Sequence, residues 1–195
     1  MFKVTLAVLA LACLALAQEH QRCIAPSQFE SRIVEVDPSK QFELRGKLVY
    51  DAHNQRTATI EEVVVGSQKP AFYHTITLHQ LGAQYNINLQ TKECKIQTIP
   101  RQWRPFEIPH NSTFYGGVIV GTEAFADSGV EVDLWGGHTE SGDSWTGAFT
   151  SRICIPVSDS VRGDKIGFVH TSFFDTVLGI SDPNVFIPPS NCVRA

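Results

Sequence analysis

The chain has 195 residues, 43% of them hydrophobic, and a formal net charge of −4. That length suits one domain. Without a basic block, the mild acidity argues against nucleic-acid binding and against a polybasic membrane anchor.

The chain begins Met1-Phe2-Lys3 and then runs apolar from Val4 to Ala17. Ala15-Leu16-Ala17 before Gln18 has the small-x-small form of a signal-peptide cleavage site, and the apolar run is short for a bilayer. The expectation is a signal peptide over 1–17, a single domain over 18–195 and a secreted product with no transmembrane segment. Of five cysteines, Cys13 leaves with the leader. Cys23, Cys94, Cys154 and Cys192 remain, an even set in a secreted chain, which argues for two disulfides with three connectivities open.

After Cys23-Ile24-Ala25-Pro26 comes a polar connector. Phe42, Leu44, Gly46, Leu48 and Tyr50 then alternate with Glu43, Arg45, Lys47 and Val49, a half-buried strand. Asp51 to Gln55 is a turn cluster, and Arg56 to Val65 returns to close a hairpin. Ala71 to Leu81 reads as a strand with Phe72, His74, Ile76 and Leu78 on one side, broken by Gly82. Tyr85, Ile87 and Leu89 alternate with polar residues, and a turn leads into a strand over Cys94 to Ile99. Pro100 to Pro109 holds three prolines, too many for a helix or strand. It reads as an ordered crossing loop with Trp103 and Phe106 plugging the core. Further strands are expected at Phe114–Thr122, Val130–Trp135, Trp145–Val157, Lys165–Thr171 and Ser172–Ile180. About ten short strands with no sustained helical spacing predict an all-β sandwich or partly open barrel.

The C-terminal run pairs an alternating strand with Asp182-Pro183 and Pro188-Pro189, which fit no ladder. Val185, Phe186 and Ile187 are too apolar for a free tail, so the segment should lie pinned across a sheet with Cys192 as its tether.

Catalytic signatures are missing. Gly142 to Gly147 has the wrong spacing for a nucleophile elbow, and no His-Glu-x-x-His occurs. His74 and His79, five apart on one strand, point to opposite faces. Asp127, Glu131, Asp133, Glu140 and Asp143 form a loose acidic group. Calcium takes six or more oxygens, often gathered from loops, which makes Asp127 and Asp133 candidate calcium ligands; a solvated acidic rim is the plainer reading. Asn111-Ser112-Thr113 is an N-glycosylation acceptor.

From Cys23 to Cys192 the chain resembles the ependymin family. The likeness rests on Cys23-x-x-Pro26, Tyr50-Asp51 with Asn54-Gln55-Arg56, Leu78, Tyr85-x-Ile87, Cys94, Phe106-Glu107-Ile108-Pro109 and Cys154-Ile155-Pro156-Val157. It is strongest in Phe173-Phe174-Asp175 and the stretch Leu178-Gly179-Ile180-x-Asp182-Pro183-x-Val185-Phe186-x-Pro188-Pro189-x-x-Cys192. The resemblance implies an antiparallel β-sandwich of two stacked curved sheets with a deep apolar pocket, similar to bacterial lipoprotein-carrier (LolA-like) folds. It also implies hydrophobic ligands, homodimers, calcium binding, and disulfides pairing Cys23 with Cys154 and Cys94 with Cys192. Family members also occur in lysosomes, so the lysosomal lumen stands beside the extracellular space.

The leading expectation is a non-enzymatic carrier of a lipid, fatty acid or other hydrophobic molecule. Its candidate wall residues are Phe72, Ile76, Leu78, Tyr85, Ile87, Leu89, Val118, Val132, Leu134, Trp145, Phe149 and Phe168. The competing readings are a matrix or adhesion module binding calcium and glycans, and a hydrolase of lipid conjugates.

Overall fold

A computed structural model describes residues 21–100, 102–164 and 166–194. The expected signal peptide over 1–17 lies outside the described residues. The fold is all-β, with twelve strands among the described residues: β1 (Gln28–Asp37), β2 (Phe42–Asp51), β3 (Arg56–Val65), β4 (Ala71–Leu78), β5 (Ala83–Asn88), β6 (Cys94–Thr98), β7 (Thr113–Gly121), β8 (Gly129–His138), β9 (Ser144–Thr150), β10 (Pro156–Gly163), β11 (Gly167–Leu178) and β12 (Val193–Arg194). Hydrogen bonding joins them in one open sheet, in the order β12-β6-β5-β4-β3-β2-β1-β11-β10-β9-β8-β7. Every pair is antiparallel except β12 with β6. No helix among the described residues is long and apolar enough to cross a membrane.

Several strand ends move by a few residues, as where Ala71–Leu81 stops at Leu78 and His79–Leu81 forms a 3-10 turn, and three strand readings change outright. The polar connector is β1, which lies between β2 and β11 at the middle of the sheet. Glu30 and Ser31 hid its alternation, yet both are buried and bonded to partners far along the chain. The single strand expected over Trp145–Val157 is two, β9 and β10, turned at Cys154, which takes a positive φ of 56°. Conversely, the two strands expected over Lys165–Thr171 and Ser172–Ile180 are replaced by one, β11. A bulge there, with Asp175 at φ 50°, breaks the period of two.

Directly paired residues of an antiparallel ladder share a face, so the register sorts the sheet into two. One face carries Phe29 and Ile33 of β1, Leu44, Leu48 and Tyr50 of β2, and Phe173 of β11. The crossing loop lies over it. Trp103 stacks on Tyr50 at 5.4 Å, and Phe106 meets Phe29, Tyr50 and Phe173 at 5.1–5.7 Å. Ala25 N–H donates to the Phe106 carbonyl at 2.8 Å and Ile108 N–H to the Cys23 carbonyl at 3.2 Å. The Cys23–Cys154 disulfide then ties this edge to the β9–β10 turn.

The opposite face carries Val49, Ala58, Ile76 and Ile87, and here the C-terminal segment lies. Glu30 accepts from Ser181 N–H at 2.8 Å and from its hydroxyl at 2.7 Å, with Lys47 Nζ at 2.6 Å. Asp182 caps the single turn Pro183–Phe186. Phe186, 3% exposed, packs on Val49 and Ala58 beneath the Arg56 guanidinium, 4.0 Å from its ring centre. Cys192 closes the segment by its bond to Cys94. Both expected disulfides are therefore present, spanning 131 and 98 residues, and loops of that size give about 4–5 kcal/mol each in the chain-entropy model.

Burial alone would raise the carboxyl of Asp51, but hydrogen bonds from Asn54, Gln28 and Arg56 outweigh it and bring the pKa down to about 2. A carboxyl lowered on folding stabilises above its unfolded pKa, and the gain is lost as pH falls toward its folded value. Asp51→Asn should cost about 2 kcal/mol at neutral pH in urea melts, with the difference vanishing between about pH 4 and 2. Phe186→Ala should cost about 3–5 kcal/mol in the same assay while leaving the Cys23–Cys154 end intact.

Candidate ligand-binding cleft

Beyond the plugged centre, the crossing loop lifts over β9 and β10 and leaves a cleft of about 550 Å³. This is within the range of small-molecule sites, about 300–1,000 Å³. Trp103 and Phe106 come from the loop, Trp145 and Phe149 from β9, and Val161 and Asp159 from β10. The register explains the meeting: Val161 is opposite Trp145, and Asp159 opposite Gly147. All lie on the loop-covered face. Trp145 Nε1–H donates to Asp159 Oδ1, fixing both side chains.

Asp159 sits in a row with Thr171 and Glu35 on adjacent strands. The Thr171 hydroxyl donates to Glu35 at 3.2 Å. Burial pushes both carboxyls above the usual carboxylate range, and for Glu35 the nearby charges of Glu61, Asp159 and Asp37 add to the shift. A larger hollow, about 1,140 Å³, opens among the turn tips around Ser39, Asp143, Arg162 and Asp164. It is a polar saddle between hairpin ends, and the smaller cleft is the more apolar of the two.

Of the expected wall residues, Trp145 and Phe149 meet in the cleft. Phe72, Ile76, Leu78, Tyr85 and Ile87 lie on the opposite face, where all but Phe72 pack around the Cys94–Cys192 disulfide. Leu89 is in the turn after β5. Val118, Val132, Leu134 and Phe168 also face away from the cleft. Their alternation was visible in sequence, but not which face the loop would cover. Asp159 and Val161 were missed because β9 and β10 read as one strand, although Val157-Ser158-Asp159-Ser160-Val161 carries its own period of two.

Asp127 lies at the exposed β7–β8 turn, while Asp133 is buried mid-strand, about 13 Å along β8 from Gly129 at a strand's rise, and accepts from the Ser151 hydroxyl at 2.8 Å. No group of three or more His, Cys, Asp or Glu is placed to hold a metal ion among the described residues. Asn111 is exposed at the cleft rim. His170 bridges two hydroxyls on the other face, Ser160 at 2.7 Å and Ser172 at 3.0 Å, outside the cleft.

The ependymin family model matches residues 67–192, which hold the cleft-lining loop, β9, β10 and the pinned tail. The chain belongs to the ependymin family. Among its relatives, mammalian ependymin-related protein 1 of Mus musculus is 32% identical over 90% of this chain and 78% of its own. Ependymin-2 of Carassius auratus is 25% identical over 90% and 81%. An uncharacterised conserved protein from Thermus thermophilus shares the fold, with a TM-score of 0.54 at 10% identity over 87% of this chain and 91% of its own. Within this family the quoted motifs have structural explanations. Tyr50-Asp51 and Asn54 to Arg56 build the Asp51 turn, and Asp182 to Phe186 anchors the tail.

A buried carboxyl with a raised pKa opposes folding once ionised, and the penalty is relieved as pH falls through its folded value. Glu35→Gln keeps the Thr171 acceptor. Its urea midpoint should be unchanged or higher at neutral pH, with any gain gone below about pH 4. A loss at neutral pH would show that the charge itself is needed there.

Proposed function

We propose that this ependymin-family protein is a secreted, non-enzymatic carrier of a small hydrophobic molecule held in the cleft between the crossing loop and β9–β10. The supporting observation is the cleft itself, four aromatic rings and Val161 around about 550 Å³. Burying an alkyl chain contributes about 0.8 kcal/mol per methylene, so a short segment suffices for micromolar affinity, about 8 kcal/mol. In this reading the loop forms one wall of the site and β9–β10 the other, and a likeness to bacterial lipoprotein carriers belongs to the same reading. Homodimers, glycosylation at Asn111 and passage through the secretory route, ending outside the cell or in the lysosomal lumen, belong to the same reading.

The matrix or adhesion reading rests on calcium at Asp127 and Asp133, and their separation along the β7–β8 hairpin weakens it. The separation leaves any calcium linkage to be carried by other ligands.

Purification from the native source followed by mass spectrometry of extracted small molecules should find an apolar guest. Val161→Asp, which places a charge on the cleft wall, should abolish uptake of an environment-sensitive alkyl fluorophore, whereas Leu78→Ala, on the opposite face, should leave it within about threefold, or ~0.7 kcal/mol. Uptake unaffected by Val161→Asp would remove the cleft from the account.

A further inference from the structure

The cleft is negative as well as apolar. Its lining carries Glu107, Glu140 and Asp159, and Arg104 is the one permanent cation among the described lining residues. That guanidinium already faces Glu140 at 3.6 Å, out at the exposed rim. Asp159 lies deeper, against the Trp145 indole, with the Glu35 carboxyl two strands away in the same row. No lysine or arginine among the described residues pairs with either. The remaining ionisable lining groups are His110 and His138.

A fatty acid laid in this cleft would bring a second carboxylate toward Asp159 with no lysine or arginine to offset it, the attraction of the His170 imidazole coming from the other face of the sheet. Two desolvated anions in a medium of low dielectric repel strongly, and each also loses its hydration. A head that donates hydrogen bonds and carries positive charge meets the opposite situation. It would pair with the Asp159 carboxylate, already oriented by the indole N–H, while its chain lies on Trp103, Phe106 and Phe149. Trp145 stands between, its ring part of the wall and its N–H committed to the acid.

We infer that the occupant is a single-chain amphiphile with an amine head, of the long-chain alkylamine or sphingoid-base type, and that Asp159 is the residue that selects it. This rests on the carrier reading and narrows its ligand class, away from free fatty acids. Selection by charge also fits the absence of any lysine or arginine opposite Asp159 among the described residues, since an acid-binding carrier would place one there.

The test titrates the protein with dodecylamine, dodecanol and dodecanoate at neutral pH, below their aggregation limits, reading tryptophan fluorescence. Dodecylamine should bind about tenfold or more tighter than dodecanoate, a gap of ~1.4 kcal/mol, with dodecanol between them. Asp159→Asn, which keeps the acceptor for Trp145, should weaken the amine about tenfold and leave dodecanol within about threefold. Should that variant fail to fold by circular dichroism, the double substitution Glu107→Gln and Glu140→Gln, both outside the buried core, should narrow the amine-to-acid gap. Equal affinity for the three compounds, a preference for dodecanoate, or a gap unchanged in the substituted protein would overturn the head-group assignment while leaving the carrier reading standing. Failure of all three to bind would overturn both.

Discussion

The packing of Trp103 and Phe106 onto Tyr50, Phe29 and Phe173 is the contact on which the arrangement depends. A single open sheet of twelve strands cannot bury both its faces by itself, and unlike a closed barrel it has no interior. This protein covers each face with a segment that is not a strand. Proline density limits the pairing of the crossing loop to one isolated antiparallel bridge, Glu107 with Ile24, so its aromatic side chains are free to descend onto the sheet. Tyr50 meets them with both its ring and its hydroxyl, which accepts from Phe106 N–H at 3.2 Å. The same loop, lifted past the centre, becomes the roof of the cleft. Core and site are thus two ends of one element.

The acidic side chains of the sheet differ in how their charge is met. Asp51 and Glu30 are surrounded by donors, and each anchors a turn or the tail. Their pKa values fall, Asp51's to about 2 and Glu30's below the ordinary range, because the donors outweigh the cost of burial. Glu35 and Asp159 have one side-chain donor each from Thr171 and Trp145, and burial prevails. Carboxyls whose charge is left costly cluster at functional sites, though structural networks also perturb them. The contrast is not one of faces, since Asp37, buried on the loop-covered face, is lowered by hydrogen bonds from Ser39 and Lys40; it sets Glu35 and Asp159 apart as carboxyls whose charge the fold leaves costly.

Much of this was legible in the sequence. The hairpin from Phe42 to Val65, the plug residues and the tethered tail all follow from apolar periodicity, proline placement and cysteine position. What escaped notice has physical causes. β1 is central, and a central strand can bury Glu30 and Ser31 if distant residues satisfy them, so its pattern looks polar. The turn at Cys154 is made by a positive φ at a disulfide cysteine, without the Gly or Pro that usually marks a break. The candidate walls were drawn from true β-alternation, but period two says only that residues share a face. Phe72 to Ile87 share the face that the tail covers. Which face a ligand could reach depends on where a loop from elsewhere in the chain crosses, and only packing decides that.

Photolabelling tests the central claim most directly. An alkyl diazirine probe incubated with the protein, irradiated and mapped by peptide mass spectrometry should mark the loop around Trp103 and Phe106 together with the β9–β10 segment from Trp145 to Val161. Label concentrated on β4 and β5, or an interior that takes none, would contradict the account.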